Sequence, residues 1–212
     1  MINWALIPVK RFEAGKSRLR KVFSQHELAL LNLNLFQSTF LKLKDSGRFA
    51  HILVVSRDEA ALEWADANDE VSLPEEGEED LNAALAQGLA WIAQHGSGSV
   101  LILPTDIPLL TVNDLCALCE YLPEDPGMLI VPDLAQTGTN ALFLTQADVL
   151  TPQFGLRSFQ AHCRQAAQLH LHQTIYLNKH IQQDIDTPED LALIQQALML
   201  STPITNDERN WK

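Results

Sequence analysis

A carboxylate follows an apolar run in the middle of the chain, where it could bind a divalent cation. The run SVLIL ends at position 103, and Asp106 follows in the sequence PTD. A carboxylate at the end of a buried strand is partly desolvated, which is costly without a cation nearby. Because no Lys or Arg occurs between positions 58 and 156, we expect a metal ion as its partner. Mg²⁺ suits this position, since it needs few protein oxygens when substrate phosphates complete its shell. The alternative is that Asp106 caps backbone N–H groups of its own loop.

A second pair of carboxylates lies near the end of the chain, in the sequence DIDTPEDL. Asp184 and Asp186 project to the same side if this segment is extended, so either could complete the metal site. Asp186 or Thr187, just before Pro188, could also cap a helix, and for Asp186 the roles of cap and ligand can coexist. Both roles stay open for this residue.

Positive charge is concentrated near the first apolar segment. Six of the 15 Lys and Arg residues fall between positions 10 and 21. Within PVKRFEAGKSRLR, Lys16 and Arg18 flank a serine after Gly15, an arrangement expected where backbone and cations surround a polyphosphate. The GxxxxGK[ST] spacing of a P-loop is absent. The alternative is an ordinary solvated charge run.

Apolar runs alternate with helical patterns along most of the chain, which predicts the elements that position these groups. Strands are predicted at 3–9, 51–56, 71–74, 99–103, 128–132, 140–144 and 173–177, and helices at 24–44, 58–67, 81–94, from 111, at 158–168 and from 188. Capping boxes at Ser24 and Thr111 mark two of the helix starts. This pattern indicates an α/β fold, a mostly parallel sheet flanked by helices in a Rossmann-like three-layer sandwich. We expect a single domain over residues 1–200 and a flexible tail at 201–212.

The carboxyl ends of the strands are where such sheets bind ligands. Residues just after strands therefore become candidates for binding a nucleotide. This set consists of Pro8, Lys10, Lys16, Asn82 and Pro104.

Composition excludes several other classes of protein. A net charge of −12 argues against sequence-independent binding of nucleic acid. No apolar segment reaches the roughly 20 residues of a membrane span, and no signal peptide is evident, so we expect a cytoplasmic protein. Cys116 and Cys119 form a CxxC without a second ligand pair, so half-buried thiols are favoured over zinc or redox chemistry.

Six motifs, taken in order, resemble the guanylyltransferase family of coenzyme F-420 biosynthesis. They are PVKRFEAGKSRL, LNAAL, LILPTDIPLL, TGTNALFL, FGLRSFQAH and DIDTPEDL, and they span the chain to about position 198. That family joins GMP from GTP to phosphoenolpyruvate, 2-phospho-L-lactate or 3-phospho-D-glycerate. The resemblance implies a fold like that of the nucleotide-diphospho-sugar transferases and Mg²⁺ held by Asp106 and Asp186. It also implies contacts to the acceptor at Thr139, Gly155 and Ser158.

This assignment gives each candidate a chemical role. Asp106 would hold the ion, while Lys16 and Arg18 would neutralise the triphosphate as pyrophosphate departs. The acceptor phosphate, with a second pKa of about 6, is already ionised and needs no general base. Arg157 and the helix start at Ser158 would favour its anionic groups, although Ser158 could equally be a plain N-cap.

The expected partners are GTP and a small phosphorylated acid, with phosphoenolpyruvate as the first choice, no nucleic acid and no membrane. A homodimer stays open. Two alternatives remain: a nucleotidyltransferase of the molybdopterin type, whose usual LAGGxSxRMG loop is not reproduced, and a non-catalytic nucleotide-binding module. The acidic segment PEEGEED replaces a glycine-rich one, so some of its carboxylates must point away or accept hydrogen bonds from guanine and ribose.

Overall fold

A computed structural model describes residues 1–96 and 98–201 of the chain. These residues form a seven-stranded sheet in the order β3-β2-β1-β4-β6-β5-β7. The strands are β1 Ile2–Val9, β2 Phe49–Ser56, β3 Val71–Pro74, β4 Val100–Ile102, β5 Gly127–Pro132, β6 Thr139–Leu144 and β7 His172–Ile175. Only β6 runs against its neighbours, while the other pairings are parallel. The predicted mostly parallel sheet is confirmed.

Helices cover both faces of this sheet, which explains why its central strands are apolar throughout. They are α1 Gln25–Ser46, α2 Glu59–Ala67, α3 Leu81–Gln94, α4 Val112–Leu118, α5 Ser158–Gln168 and α6 Pro188–Ser201. Residues of α1, α2 and α4 share one buried cluster with alternate residues of β1, such as Ile7. Residues of α3 and α5 share a second cluster with Trp4 and Leu6, on the opposite face of the sheet. The result is the predicted three-layer sandwich.

Side-chain caps fix the helix starts where the sequence predicted them. Ser24 and Thr111 each form a capping box, with Glu27 and Asp114 respectively. Asp58 and Asp80 cap α2 and α3 by accepting backbone hydrogen bonds. Of the predicted tail at 201–212, Ser201 is the last residue of α6, and residues 202–212 lie outside the described residues. The single-domain assignment stays a prediction.

A buried aspartate ties the start of α4 to the segment that follows β7. Asp114 accepts hydrogen bonds from Asn178 Nδ2 at 2.8 Å and from His180 Nδ1 at 2.9 Å, besides those of its own capping box. Burial alone would raise the pKa of Asp114, but bonds from Thr111, Asn178 and His180 outweigh burial and lower it. This contact anchors the loop that leads to Asp184 and Asp186.

The described part of the chain contains no helix that is both long and apolar enough to cross a membrane. Cys116 and Cys119 are half-buried and free.

We expect Asp114→Ala to lower the free energy of unfolding by about 2–3 kcal/mol at pH 7, through loss of a cap and of buried hydrogen bonds. A carboxylate whose pKa is lowered on folding stabilises the protein above its unfolded pKa of about 4, and this contribution is lost as the pH falls. The difference between variant and wild type should therefore shrink near pH 3. Urea unfolding at both pH values measures it, with Asp66→Ala on the exposed side of α2 as the control. A difference that is the same at both pH values would contradict this account.

Candidate active site

The carboxyl ends of β1 and β4 open onto a cavity of about 350 Å³. Because parallel strands end at the same edge, the loops after these two strands face each other across it. The residues that line this cavity include Pro8, Lys10, Arg11, Lys16, Pro104, Asp106 and Asp186.

Three carboxylates converge at this edge, as the sequence predicted. Asp106, Asp184 and Asp186 each offer one oxygen, and these oxygens lie within 4.8 Å of one another. A backbone hydrogen bond of 3.0 Å from Ile185 N to Asp106 O joins the two loops directly. The donor set consists of oxygens alone, which suits a hard cation such as Mg²⁺.

Asp186 is free to face this cluster because another residue caps α6. Asp190 accepts hydrogen bonds from the backbone N–H of Asp186 and of Thr187. The Thr187 hydroxyl accepts in return from Asp190 N at 3.3 Å. The Asp186 side chain, half exposed, is therefore not needed as the helix cap.

Lys16 brings the nearest positive charge to the carboxylates. Its Nζ lies 3.8 Å from Asp106 Oδ2 and 3.7 Å from Asp186 Oδ1, and it donates a hydrogen bond to Ile185 O. The Lys16 side chain is only 8% exposed. The expected role of Asp106 as a metal ligand stays a prediction, but the residue also has a cationic side-chain neighbour. The gap in Lys and Arg along the sequence did not show this, because the lysine comes from the loop after β1.

Hydrogen bonds and close packing fix the loop that carries Lys16. Its φ of 54° lies in the left-handed region, which is unusual for a residue other than glycine. Asp58 accepts from Phe12 N at 2.9 Å, and Asn32 Nδ2 donates to Phe12 O at 2.8 Å, so the loop is held from two sides. A Cβ at Gly15 would come within 2.9 Å of the Asn32 amide, which explains the glycine. Strain of this kind is concentrated at functional sites.

Excess negative charge characterises the cluster even with Lys16 in place. Burial, and then the charges of Asp106 and Asp186, raise the pKa of Asp184 to about 6. Asn140 Nδ2 lies 3.4 Å from Asp184 Oδ1 and offsets this only in part. Three carboxylates outnumber the single ammonium, and a divalent cation would neutralise the negative charge that is left over.

The residues predicted to bind a nucleotide fall into two groups. Pro8, Lys10, Lys16 and Pro104 line the cavity. Asn82 instead holds the segment before α5, donating to Phe154 O at 2.9 Å and accepting from Phe154 N at 2.7 Å.

Two arginines near the first strand differ in their placement. Arg18 is exposed in the short 3₁₀ turn Ser17–Lys21 and is not among the lining residues of this cavity. Arg11, which the sequence analysis did not select, lines it. Neither arginine lies in a periodic segment, so the sequence did not indicate which of the two side chains faces the cavity. The catalytic role of Arg18 stays a prediction.

The residues predicted to contact the acceptor meet where β6 and α5 begin. The hydroxyls of Thr139 and Ser158 lie 3.0 Å apart, and both residues are buried. Gly155 has a φ of 123°, and Arg157 is exposed with a φ of 57°. His162, which the sequence analysis did not select, lies 3.1 Å from the Thr139 hydroxyl. Its spacing of four from Ser158 puts both on one helix face, a signal that was available.

Some carboxylates of the acidic segment 75–80 are already engaged. Glu75 pairs with Arg57 at 3.0 Å, and Asp80 caps α3. Glu79 lines a small cleft beside Lys10.

Known proteins resemble this chain in sequence and in fold. The family model described as CofC-like guanylyl transferase matches residues 3–199. A phosphoenolpyruvate guanylyltransferase of Rubrobacter xylanophilus is 36% identical over 195 residues, covering 92% of this chain and 94% of that protein. A 2-phospho-L-lactate guanylyltransferase of Methanothermobacter thermautotrophicus is 33% identical over 195 residues, covering 92% and 84%. A solved structure from Desulfovibrio desulfuricans G20, assigned to the nucleotide-diphospho-sugar transferases, matches with a TM-score of 0.71 at 17% identity and covers 94% of this chain and 89% of that one.

We expect Asp184→Asn to stabilise the metal-free protein by about 1–2 kcal/mol at pH 7, allowing for its partial exposure. A carboxyl whose pKa is raised on folding binds more protons in the folded state between its unfolded pKa of about 4 and its folded pKa of about 6. The free energy of unfolding of the wild type therefore falls as the pH rises through that window, and an amide avoids this loss.

Urea unfolding in the presence of a chelator measures the gain, with exposed Asp148→Asn as the matched control. The gain should disappear near pH 3. An Asp184→Asn protein that is less stable than wild type at pH 7 would show that the carboxylates do not repel one another as described.

Proposed function

The chain belongs to the CofC-like guanylyl transferases, as its motifs predicted, and we propose that it joins GMP from GTP to the phosphate of a small phosphorylated acid in coenzyme F-420 biosynthesis. The observation that carries this proposal is the convergence of Lys16 with Asp106, Asp184 and Asp186 beside a cavity at the carboxyl edge of the sheet. A triphosphate needs this combination of fixed positive charge and metal-binding oxygens.

The cations of the loop after β1 would bind the triphosphate. Lys10, Arg11 and Lys16 line the cavity from one side, and their charges would neutralise the phosphates. We propose Mg²⁺ as the ion that Asp106, Asp184 and Asp186 hold, where it would offset phosphate charge and make the α-phosphorus more electrophilic.

The transfer needs positioning and charge neutralisation more than proton transfer. An oxygen of the acceptor phosphate forms a bond to the α-phosphorus of GTP, and the bond from that phosphorus to the bridging oxygen of pyrophosphate breaks. Because the acceptor phosphate is largely dianionic at neutral pH, no proton has to be removed from it. Lys16 then faces the charge that develops on the departing pyrophosphate.

Phosphoenolpyruvate is the acceptor we favour, with 2-phospho-L-lactate and 3-phospho-D-glycerate as the other candidates. Relatives at 36% and 32% identity are named for phosphoenolpyruvate, and one at 33% is named for 2-phospho-L-lactate. We assign the acceptor to the region of Thr139, Gly155, Arg157 and Ser158, across β4 from the triphosphate loop. A cytoplasmic location belongs to the same proposal, and the free cysteines agree with a reducing compartment.

The purified protein with GTP, Mg²⁺ and each of the three acids should release pyrophosphate with at least one of them. Lys16→Ala and Asp106→Asn should each lower kcat by about 10²–10³, because the first removes positive charge facing the phosphates and the second removes a proposed ligand of the ion. Exposed Lys21→Ala and Asp148→Asn serve as matched controls and should stay close to wild type. Absence of pyrophosphate and of a guanylylated acid by mass spectrometry with all three acids would overturn the proposal.

The two arginines offer a further comparison. We expect Arg11→Ala to raise the KM for GTP by about tenfold, through loss of one charge facing the phosphates, and Arg18→Ala to change it far less. Steady-state kinetics at saturating acceptor distinguishes them. A larger effect of Arg18→Ala would mean that the turn containing it closes over the nucleotide.

A further inference from the structure

A chain of buried polar groups lies where β6, α5 and the segment before α5 meet. The hydroxyls of Ser158 and Thr139 are 3.0 Å apart, and His162 Nδ1 lies 3.1 Å from the Thr139 hydroxyl. On the other side of the ring, His162 Nε2 lies 2.9 Å from the backbone nitrogen of Gln153. His162 is fully buried, Ser158 is 1% exposed and Thr139 is 8% exposed. None of these groups has a role in the carboxylate cluster.

The backbone of Gln153 determines which nitrogen of His162 carries hydrogen. A backbone N–H can only donate, so Nε2 must accept and must be unprotonated. Burial lowers the pKa of His162 to about 4, so the ring is neutral at pH 7. A neutral imidazole with a bare Nε2 carries its hydrogen on Nδ1, which therefore donates to the Thr139 hydroxyl oxygen.

Counting hydrogens then shows a free donor. Between them Thr139 and Ser158 have two hydroxyl hydrogens, and one of these serves the bond that joins the two oxygens. The second cannot go to His162 Nδ1, which is itself a donor, and no acceptor for it is found among the described residues. With the opposite tautomer, Thr139 could donate to His162 and Ser158 to Thr139, and no hydrogen would remain. A buried donor without an acceptor is costly and therefore points to a ligand.

The location of this donor fits an anionic substrate. Thr139 begins β6, and the next residue, Asn140, reaches the metal-binding cluster through Asp184. Ser158 is the first residue of α5, an 11-residue helix whose dipole favours an anion at this end. The ring of His162 is held edge-on by Phe154 at 5.2 Å, and Phe154 is in turn held by Asn82.

We propose that His162 is a positioning residue for the acceptor: by donating Nδ1–H to Thr139, it makes the Thr139–Ser158 pair present one hydroxyl hydrogen to the carboxylate or phosphate of the phosphorylated acid. This role rests on the proposed function, since the ligand is the acceptor of that reaction. His162 touches no reacting atom in this account and acts only through Thr139.

Two substitutions that keep different atoms of the ring test this role. His162→Asn can place an amide N–H where Nδ1–H is, whereas His162→Gln places its amide near the position of Nε2. We expect His162→Gln and His162→Phe to raise the KM for the acceptor by about tenfold or more, with the KM for GTP unchanged, and His162→Asn to stay within about threefold of wild type. Thr139→Val should show the same loss, and adding His162→Phe to it should do no further harm.

A purely structural role would give a different pattern. His162→Gln would then be at least as active as His162→Asn, because glutamine fills more of the buried space. The KM for the acceptor and the KM for GTP would also change together. Thermal melts identify any variant that fails to fold. That pattern would overturn the proposal.

The tautomer itself can be read without any substrate. A long-range ¹H–¹⁵N spectrum of the wild-type protein, with His162 assigned by comparison with His162→Asn, should show hydrogen on Nδ1 between pH 6 and 8. Hydrogen on Nε2, or a charged ring, would overturn the proposal. Failure of the proposed function would instead appear as a wild type that is silent with GTP and every acid, whatever the spectrum shows.

Discussion

One ammonium group set among three carboxylates is the interaction on which the site depends. Lys16 joins the loop after β1 to Asp106 after β4 and to Asp186 before α6, three segments that are remote in sequence. Its single charge holds them together but does not balance them. Burial, and then the charges of Asp106 and Asp186, raise the pKa of Asp184 to about 6. The unbalanced negative charge lowers the stability of the protein without a cation, but the same charge would attract a cation. Stability and function therefore oppose each other here.

The sheet supplies the geometry that this interaction needs. Four adjacent strands, β3, β2, β1 and β4, run parallel, so their following loops gather at one edge. β6 runs the other way, so its beginning, rather than its end, lies at that edge. Thr139 therefore stands beside the loop of Asp106, and the two halves of the site adjoin at one edge of the sheet.

Sequence reasoning succeeded where periodicity and strand ends decide the outcome. Asp106, Asp184 and Asp186 could be predicted to converge, because each follows an element whose position the hydrophobic pattern reveals. It did not identify the Lys16 ion pairs, the placement of Arg11 over Arg18 or the bond from His162 to Thr139. Each of these depends on the direction of one side chain in a loop or on a neighbour across the sheet. Neither of these two features produces a pattern in the local sequence. The reversal of β6 is of the same kind, since an apolar run does not reveal its direction.

The reversed strand also separates the residues assigned to the two substrates along the chain. Everything assigned to the triphosphate, apart from Asp184 and Asp186, comes from the first 106 residues, whereas everything assigned to the acid lies between Thr139 and His162. Evolution or protein engineering could therefore exchange the segment from β6 to α5 while the residues assigned to the triphosphate stay unchanged. Families that share one nucleotide but differ in what they attach it to could arise by this route.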